Sequence, residues 1–248
     1  MIIRKSEREL DLMREAGRIV GEAHKLLADE VKPGVTTDYL DQIVEEFIRS
    51  QDADPTFKGY RGFPKSICAS INEEIVHGIP GEYELKSGDI IGVDIGARVG
   101  GYCGDAARTF AVGEISKEAK KLMETTSQAL EEGIKKALVG NRVSDISNAV
   151  QIKAESEGFS VVRKFVGHGI GKEMWEDPEV PNFGKPGKGP RLKEGMVLAI
   201  EPMVNVGTFR TKTLDDGWTV ITEDKELSAH FEDTVAITKD GPEILTRV

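Results

Sequence analysis

Gly92-Val-Asp-Ile-Gly-Ala-Arg-Val-Gly-Gly-Tyr-Cys-Gly-Asp105 is the stretch on which the reading of the fold turns. An apolar strand carrying Asp94 runs into a glycine-rich turn, and a second strand returns with Asp105. A turn closed by Arg98 and Gly101 puts the two aspartates directly opposite each other on one face, about 5 Å apart at Cβ. That spacing suits a shared cation. Val99-Gly100 makes a poor type I′ pair because Val resists positive φ, so a longer or bulged turn with another register stays open. Taken alone, the pair reads equally well as two solvent-facing aspartates on an edge hairpin.

Outside this hairpin, whose arms span 89–97 and 102–112, strand texture recurs at 66–71, 159–166, 196–203, 218–222 and 229–238. Helices are placed by caps and period. Ser6 followed by Glu9 is a capping-box pattern, and Leu10, Met13, Gly17, Val20 and Leu27 then recur at helical spacing. After the Pro33-Gly34 break, Thr37 is the expected cap of a second helix with apolar positions Leu40, Ile43, Val44, Phe47 and Ile48. Two more helices are expected over 117–138 and 143–157, each bounded by a glycine-containing break. The Pro- and Gly-rich stretch 178–190 reads as an extended loop. Each half thus holds two helices among strands, with no visible sequence repeat between halves, and the pattern predicts a single α+β domain over 1–248.

A formal net charge of -10 argues against a surface built to neutralise phosphates, so no DNA partner is expected. Hydrophobic residues at 39% and charged residues at 31% match an ordinary globular protein, which predicts a real core. No run of about 18 apolar residues occurs, and Met1 to Glu9 is charged where a signal peptide is apolar. A cytoplasmic protein with no membrane partner is the expectation. Cys68 and Cys103 are too few for a disulfide framework and lack the pairing of a structural zinc site, so both are read as free thiols.

Three further positions carry ligand chemistry. His168 lies at the end of a β-branched strand in Val166-Gly-His-Gly-Ile-Gly171, where the glycines let backbone or ligand approach closely. A dinucleotide fingerprint is rejected there, because the spacing is wrong and no strand-helix unit with a downstream acid follows. Glu201 ends the apolar Leu198-Ala-Ile-Glu, and Glu232 stands similarly in Ala229-His-Phe-Glu-Asp-Thr-Val-Ala-Ile237. A carboxylate so placed needs a partner, since unpaired burial costs several kcal/mol. Two Asp, two Glu and one His form a hard, oxygen-rich set suited to two divalent ions such as Mn, Fe or Co. Ions about 3.5–4 Å apart lower the pKa of a water between them and polarise a carbonyl, so amide hydrolysis is the chemistry this set predicts.

With Ser70-Ile-Asn-Glu-Glu-Ile-Val-His-Gly-Ile-Pro80 and Glu201-Pro-Met203 added to these motifs, the chain resembles the bacterial type I methionine aminopeptidases over essentially its full length. The resemblance implies the pita-bread fold, a pseudo-two-fold α+β arrangement of antiparallel sheet flanked by helices. It implies two divalent ions (Co, Mn, Fe or Zn), with Asp94 on one, His168 and Glu201 on the other, and Asp105 and Glu232 bridging. By the same resemblance His77 hydrogen-bonds the substrate amide and helps the leaving amine take a proton, while Glu201 handles the proton of the attacking water. Phe57, Tyr60, Phe63, Cys68 and Trp218 match the methionine pocket, where polarizable sulfur meets aromatic rings. The plain alternatives are a loop histidine at 77 and ordinary core packing at the apolar positions. Implied substrates are nascent-peptide N-termini with a small second residue, acted on by a monomer; a transient ribosome contact stays open.

Two positions depart from the pattern. Trp175, in Trp175-Glu-Asp-Pro178, stands where similar enzymes carry a histidine near the substrate carbonyl, and indole offers one N–H and no change of protonation. Either the indole replaces that donor, or the ring narrows the pocket beyond the methionine, or the chain is a weakened relative. Asp233 stands where histidine is common and is expected to add negative charge beside the metals. The rival readings are a binding protein that has lost catalysis, a proline-directed peptidase of the same fold, and a metal-stabilised structural module. Only about thirty residues separate His168 from Glu201, and Glu201 from Glu232, which leaves no room for the inserted helical subdomain of type II enzymes.

Overall fold

In the computed structural model, which describes residues 1–248, the Ser6–Glu9 pattern starts the first helix, α1 (Glu7–Glu30): the Ser6 N–H donates to Glu9 Oε2 at 2.7 Å. Leu10, Met13, Val20 and Leu27 are buried along one face of α1. The second helix, α2 (Thr37–Ser50), is capped one residue earlier than expected. The Thr36 hydroxyl accepts from Tyr39 N–H, while Thr37 Oγ1 donates to Gly81 O at 3.0 Å and so ties the helix start to a loop. The strands of this half are β1 (Asp54–Pro55), β2 (Ile67–Ile71), β3 (Glu74–Val76), β4 (Ile90–Val99) and β5 (Tyr102–Ala111). The second half opens with α3 (Lys117–Ile134) and α4 (Val143–Ser156), near the expected spans.

The strands that follow are shorter than the sequence pattern predicts: β6 (Ser160–Val161), β7 (Gly167–Gly169), β8 (Glu176–Val180), β9 (Val197–Ile200) and β10 (Met203–Asn205). Then come β11 (Thr211–Thr213), β12 (Val220–Thr222), β13 (Ser228–His230), β14 (Asp233–Thr238) and β15 (Gly241–Ile244). The run expected over 159–166 ends at Val161, the one over 218–222 begins only at Val220, and β8 claims the first part of the expected loop 178–190. Two long predicted strands break at candidate ligand positions. Glu201-Pro202 separates β9 from β10, where Pro202 has no N–H for a ladder, and Phe231-Glu232 separates β13 from β14.

All strand pairs are antiparallel. In the first half β4 pairs with β5 along one edge and with β2 and β1 along the other. In the second, the order is β15-β14-β9-β7-β8. One apolar cluster joins α1 and α2 to the first sheet through Val20, Leu40, Ile91 and Ile95, and another joins α3 and α4 to the second through Leu130, Ile146, Leu198 and Val235. Helices thus lie outside and sheets inside, the pseudo-two-fold arrangement that the pita-bread resemblance implies. The halves are stitched where β5 meets the start of β14: Glu232 N–H donates to Ala107 O at 2.9 Å, and Asp105 N–H to Thr234 Oγ1 at 3.0 Å. At the turn of α1 over β5, a Cβ on Gly104 would lie 2.7 Å from Gly17 N, so this helix approaches backbone to backbone. No helix is long and apolar enough to cross a membrane.

Candidate metal centre

The β4–β5 hairpin differs in register from the one first drawn. Val99 pairs with Tyr102, so Gly100 and Gly101 form the turn, with φ +54° and +84°. Two residues of positive φ make the type I′ geometry that suits strand twist, and both are glycine. Asp94 therefore lies opposite Ala107, and Asp105 opposite Gly96. The aspartates are diagonal neighbours two positions apart on one face, which keeps both carboxyls at a common site.

From the other half, β7 brings His168 opposite Ala199 of β9, and Glu201 and Glu232 stand just after β9 and just before β14. The glycines around His168 are a packing necessity: a Cβ on Gly167 would lie 2.4 Å from Ala199 O, and one on Gly169 2.1 Å from Asp177 O. The His168 Nδ1 lies 2.9 Å from Gly169 O, which assigns the proton to Nδ1 and leaves the Nε2 lone pair facing Glu201 Oε1 at 3.6 Å and Asp105 Oδ2 at 3.8 Å. Burial lowers the His168 pKa to about 4, so the ring is neutral and able to ligate.

Ligand atoms of Asp105, His168 and Glu232 already lie within 4.8 Å of one another. Asp94 Oδ1, Asp105 Oδ1 and Glu232 Oε1 are buried without any hydrogen-bond partner. Burial, then mutual repulsion, pushes the Asp105, Glu201 and Glu232 carboxyls well above their usual range, and burial does the same to Asp94. These are the marks of a site built around positive charge. Four carboxylates balance two divalent cations, and the oxygen-rich set with one imidazole fits hard or borderline ions.

The five side chains form the floor of a cavity of about 380 Å³. Every candidate ligand, catalytic and pocket residue named from the sequence lines it, with Phe57, Phe63, Cys68 and Trp218 in the wall, His77 beside the floor, and Tyr60 and Trp175 at the exposed rim. Trp175 lies against Tyr60 with ring centroids 4.2 Å apart, and Trp218 meets Phe63 edge-on at 5.1 Å. His77 holds φ +61°, an uncommon value for a non-glycine residue, with its ring edge-on to Phe165 at 5.7 Å. Burial lowers its pKa. The Cys68 thiol is buried, and that burial, with Asp94 as the next cause, raises its pKa well above the ordinary value, so it stays protonated.

Asp233 adds negative charge next to Glu232, where it helps raise that carboxyl, but its side chain does not line the cavity and is paired elsewhere. Successive strand residues point to opposite faces, and its carboxylate, wholly buried, accepts from Arg108 Nη2, from Thr246 Oγ1 at 2.8 Å and from Arg247 Nη2 at 2.6 Å. Its charge is offset by the two guanidinium groups of this clamp. Sequence reasoning also misses Arg61, Val76, Phe165, Val166 and His230, all of which line the cavity. No local signal marks His230: it ends β13, and Phe231-Glu232 lies outside any strand, so alternation along a strand does not connect it to Glu232.

The sequence profile of metallopeptidase family M24 matches residues 11–239. A methionine aminopeptidase of Clostridium perfringens is 60% identical over 248 residues, covering 100% of both chains. Methionine aminopeptidase 1 of Bacillus subtilis is 58% identical over the same length, again with 100% of both covered. Among solved structures, a methionine aminopeptidase from Thermotoga maritima superposes with a TM-score of 0.99 at 44% identity, covering 100% of each chain.

Proposed function

This chain belongs to metallopeptidase family M24, a metal-dependent aminopeptidase that removes N-terminal methionine, and on that premise we propose which of its residues do so. Asp94, Asp105, His168, Glu201 and Glu232 hold two divalent cations, and residues 1–248 work as one catalytic domain. What supports this reading is the convergence, beneath an aromatic cavity, of five ligand side chains from both halves, with three carboxylate oxygens left unpartnered.

Bound divalent ions supply a water of lowered pKa and a polarised carbonyl. The chain's own groups supply the rest. The methionine side chain enters between Phe57, Phe63 and Trp218, where sulfur-aromatic contact favours it. The free α-amine points to the acidic floor, whose carboxylates favour a cationic terminus, as an exopeptidase requires. Glu201 takes the proton of the attacking water and passes it on. His77, neutral near pH 7, hydrogen-bonds the scissile amide and helps the departing amine gain its proton.

Trp175 and Tyr60 crowd the rim just beyond the methionine, which favours small second residues such as Ala, Ser or Gly. Mn, Fe or Co suits the carboxylate-rich set better than Zn, which prefers nitrogen and sulfur ligands. The working state is a cytoplasmic monomer acting on peptide and nascent-protein N-termini.

The test is release of free methionine from a Met-Ala-Ser peptide by metal-stripped protein, with Mn, Co, Fe or Zn added back, for the natural chain and Trp175→His. Release dependent on added ion is expected from the natural chain. Release by Trp175→His alone would mark the chain as a weakened relative, and release by neither would return it to a binding role.

A further inference from the structure

Three of the four histidines line the cavity, and the mechanism above uses His77 and His168 but not His230. His230 ends β13, is 4% exposed, and its Nε2 is buried with no hydrogen-bond partner. That nitrogen faces two carboxylates, lying 3.7 Å from Glu201 Oε2 and 4.0 Å from Glu232 Oε2. The other oxygen of Glu201, Oε1, lies 3.6 Å from His168 Nε2. The Glu201 carboxylate is therefore held between two imidazoles, one at each oxygen.

The two rings are prepared differently. His168 has its proton on Nδ1, occupied by Gly169 O, so its Nε2 can offer only a lone pair. The His230 backbone is pinned on both sides by one hydroxyl: its N–H donates to Thr109 Oγ1 at 2.9 Å, and its carbonyl accepts from the same atom at 2.8 Å. This fixes where the ring points while leaving Nε2 free to carry the proton. The separation from Glu201 Oε2 is within about 1 Å of hydrogen-bond length.

We infer that His230 is a positioning residue of the metal centre: its Nε2–H donates to Glu201 Oε2 and thereby commits Oε1 to the cation shared with His168. This rests on Glu201 and His168 being ligands, as proposed above. Hydrogen bonds that orient metal-binding side chains commonly carry about 10- to 100-fold in metal affinity, and no other donor to Glu201 Oε2 is present in the structure.

The test compares His230→Gln, which keeps an N–H donor, with His230→Met, which fills the space without one. Metal-stripped proteins are first shown to fold by thermal unfolding, then titrated with Co(II) by calorimetry and visible absorption. The Met variant is expected to bind one of the two ions about 10- to 100-fold more weakly, with an altered absorption band, and the Gln variant to recover most of both. Isotherms and spectra unchanged in both variants would overturn the inference, leaving His230 as packing. Equal losses in both, with a spectrum showing one nitrogen fewer, would overturn it in favour of direct ligation. If neither variant folds, nitrogen spectra of the unmutated zinc-loaded protein decide: a protonated, exchange-protected Nε2 supports the inference, and a metal-bound or freely exchanging one overturns it. Failure of the unmutated protein to bind any divalent ion would overturn the metal centre itself.

Discussion

Glu74 illustrates how one side chain off the catalytic floor shapes the response to pH. Its Oε2 accepts the Ile71 N–H at 2.8 Å, yet burial, with Glu73 and Asp216 nearby, pushes its carboxyl up to about 7 from 4.5. The folded protein thus holds this proton more tightly than the unfolded chain does. Its favourable contribution is complete below pH 4.5 and is lost as the pH rises through 7, above which a buried charge remains as a standing cost. Glu74→Gln keeps the acceptor and removes the charge. Urea midpoints of the metal-stripped protein should show the variant about 1–2 kcal/mol more stable at pH 8, after allowance for partial solvent access, and indistinguishable from the parent near pH 4.5. Greater stability at both values would place the effect elsewhere. The same scale shows what the sequence makes legible and what it does not. The five proposed ligands and His77 were readable as candidates because their flanking glycines, prolines and apolar runs are local signals. His230 was not, because its role depends on the distance to Glu201, a contact across strands that no local pattern encodes.

Among the elements, the β4–β5 hairpin shows why register is the hardest feature to read. Both arms were evident from alternation and glycine content, but moving the turn by one residue shifts every cross-strand partner. The deciding residues are Gly100 and Gly101, which alone supply the paired positive φ values. At Gly101 an added Cβ meets nothing within 4 Å, so a substitution there probes backbone strain without a clash. Gly101→Val should lower stability by about 1–2 kcal/mol, and Gly101→Asn by roughly half that or less, since Asn tolerates the left-handed region. Denaturant midpoints with an unchanged m value would bear this out, and equal costs for Val and Asn would contradict it. Helices fared better than strands for a physical reason. Capping and a 3.6-residue period lie within one segment, whereas the breaks at Glu201-Pro202 and Phe231-Glu232 fall where Glu201 and Glu232 leave the ladder and line the cavity.

Over the whole molecule, each half contributes proposed ligands, and the two are joined behind the site by the clamp that Arg108, Thr246 and Arg247 form around the buried Asp233 carboxylate. Arg108 also donates to the backbone carbonyl of Glu232, so the clamp bears on the position of a proposed ligand. Arg108→Met leaves Asp233 buried with part of its pairing gone. A loss of about 3 kcal/mol is expected in urea unfolding, because a half-broken buried ion pair is costly, and the variant should gain less than the parent when divalent ions are added. A gain equal to the parent's would separate the clamp from the metal centre. The protein has only two tryptophans, and both stand at this one cavity, Trp175 at its rim with the ring 6.0 Å from His168 and Trp218 in its wall with the ring 6.5 Å from His77. Indole emission from the entire chain therefore originates at the site. Excited at the red edge, where the four tyrosines do not absorb, the chain emits from the site alone, so a paramagnetic ion settling on the floor, or a peptide sliding past the rim, should dim or recolour the fluorescence of the unlabelled protein and let occupancy be followed as it happens.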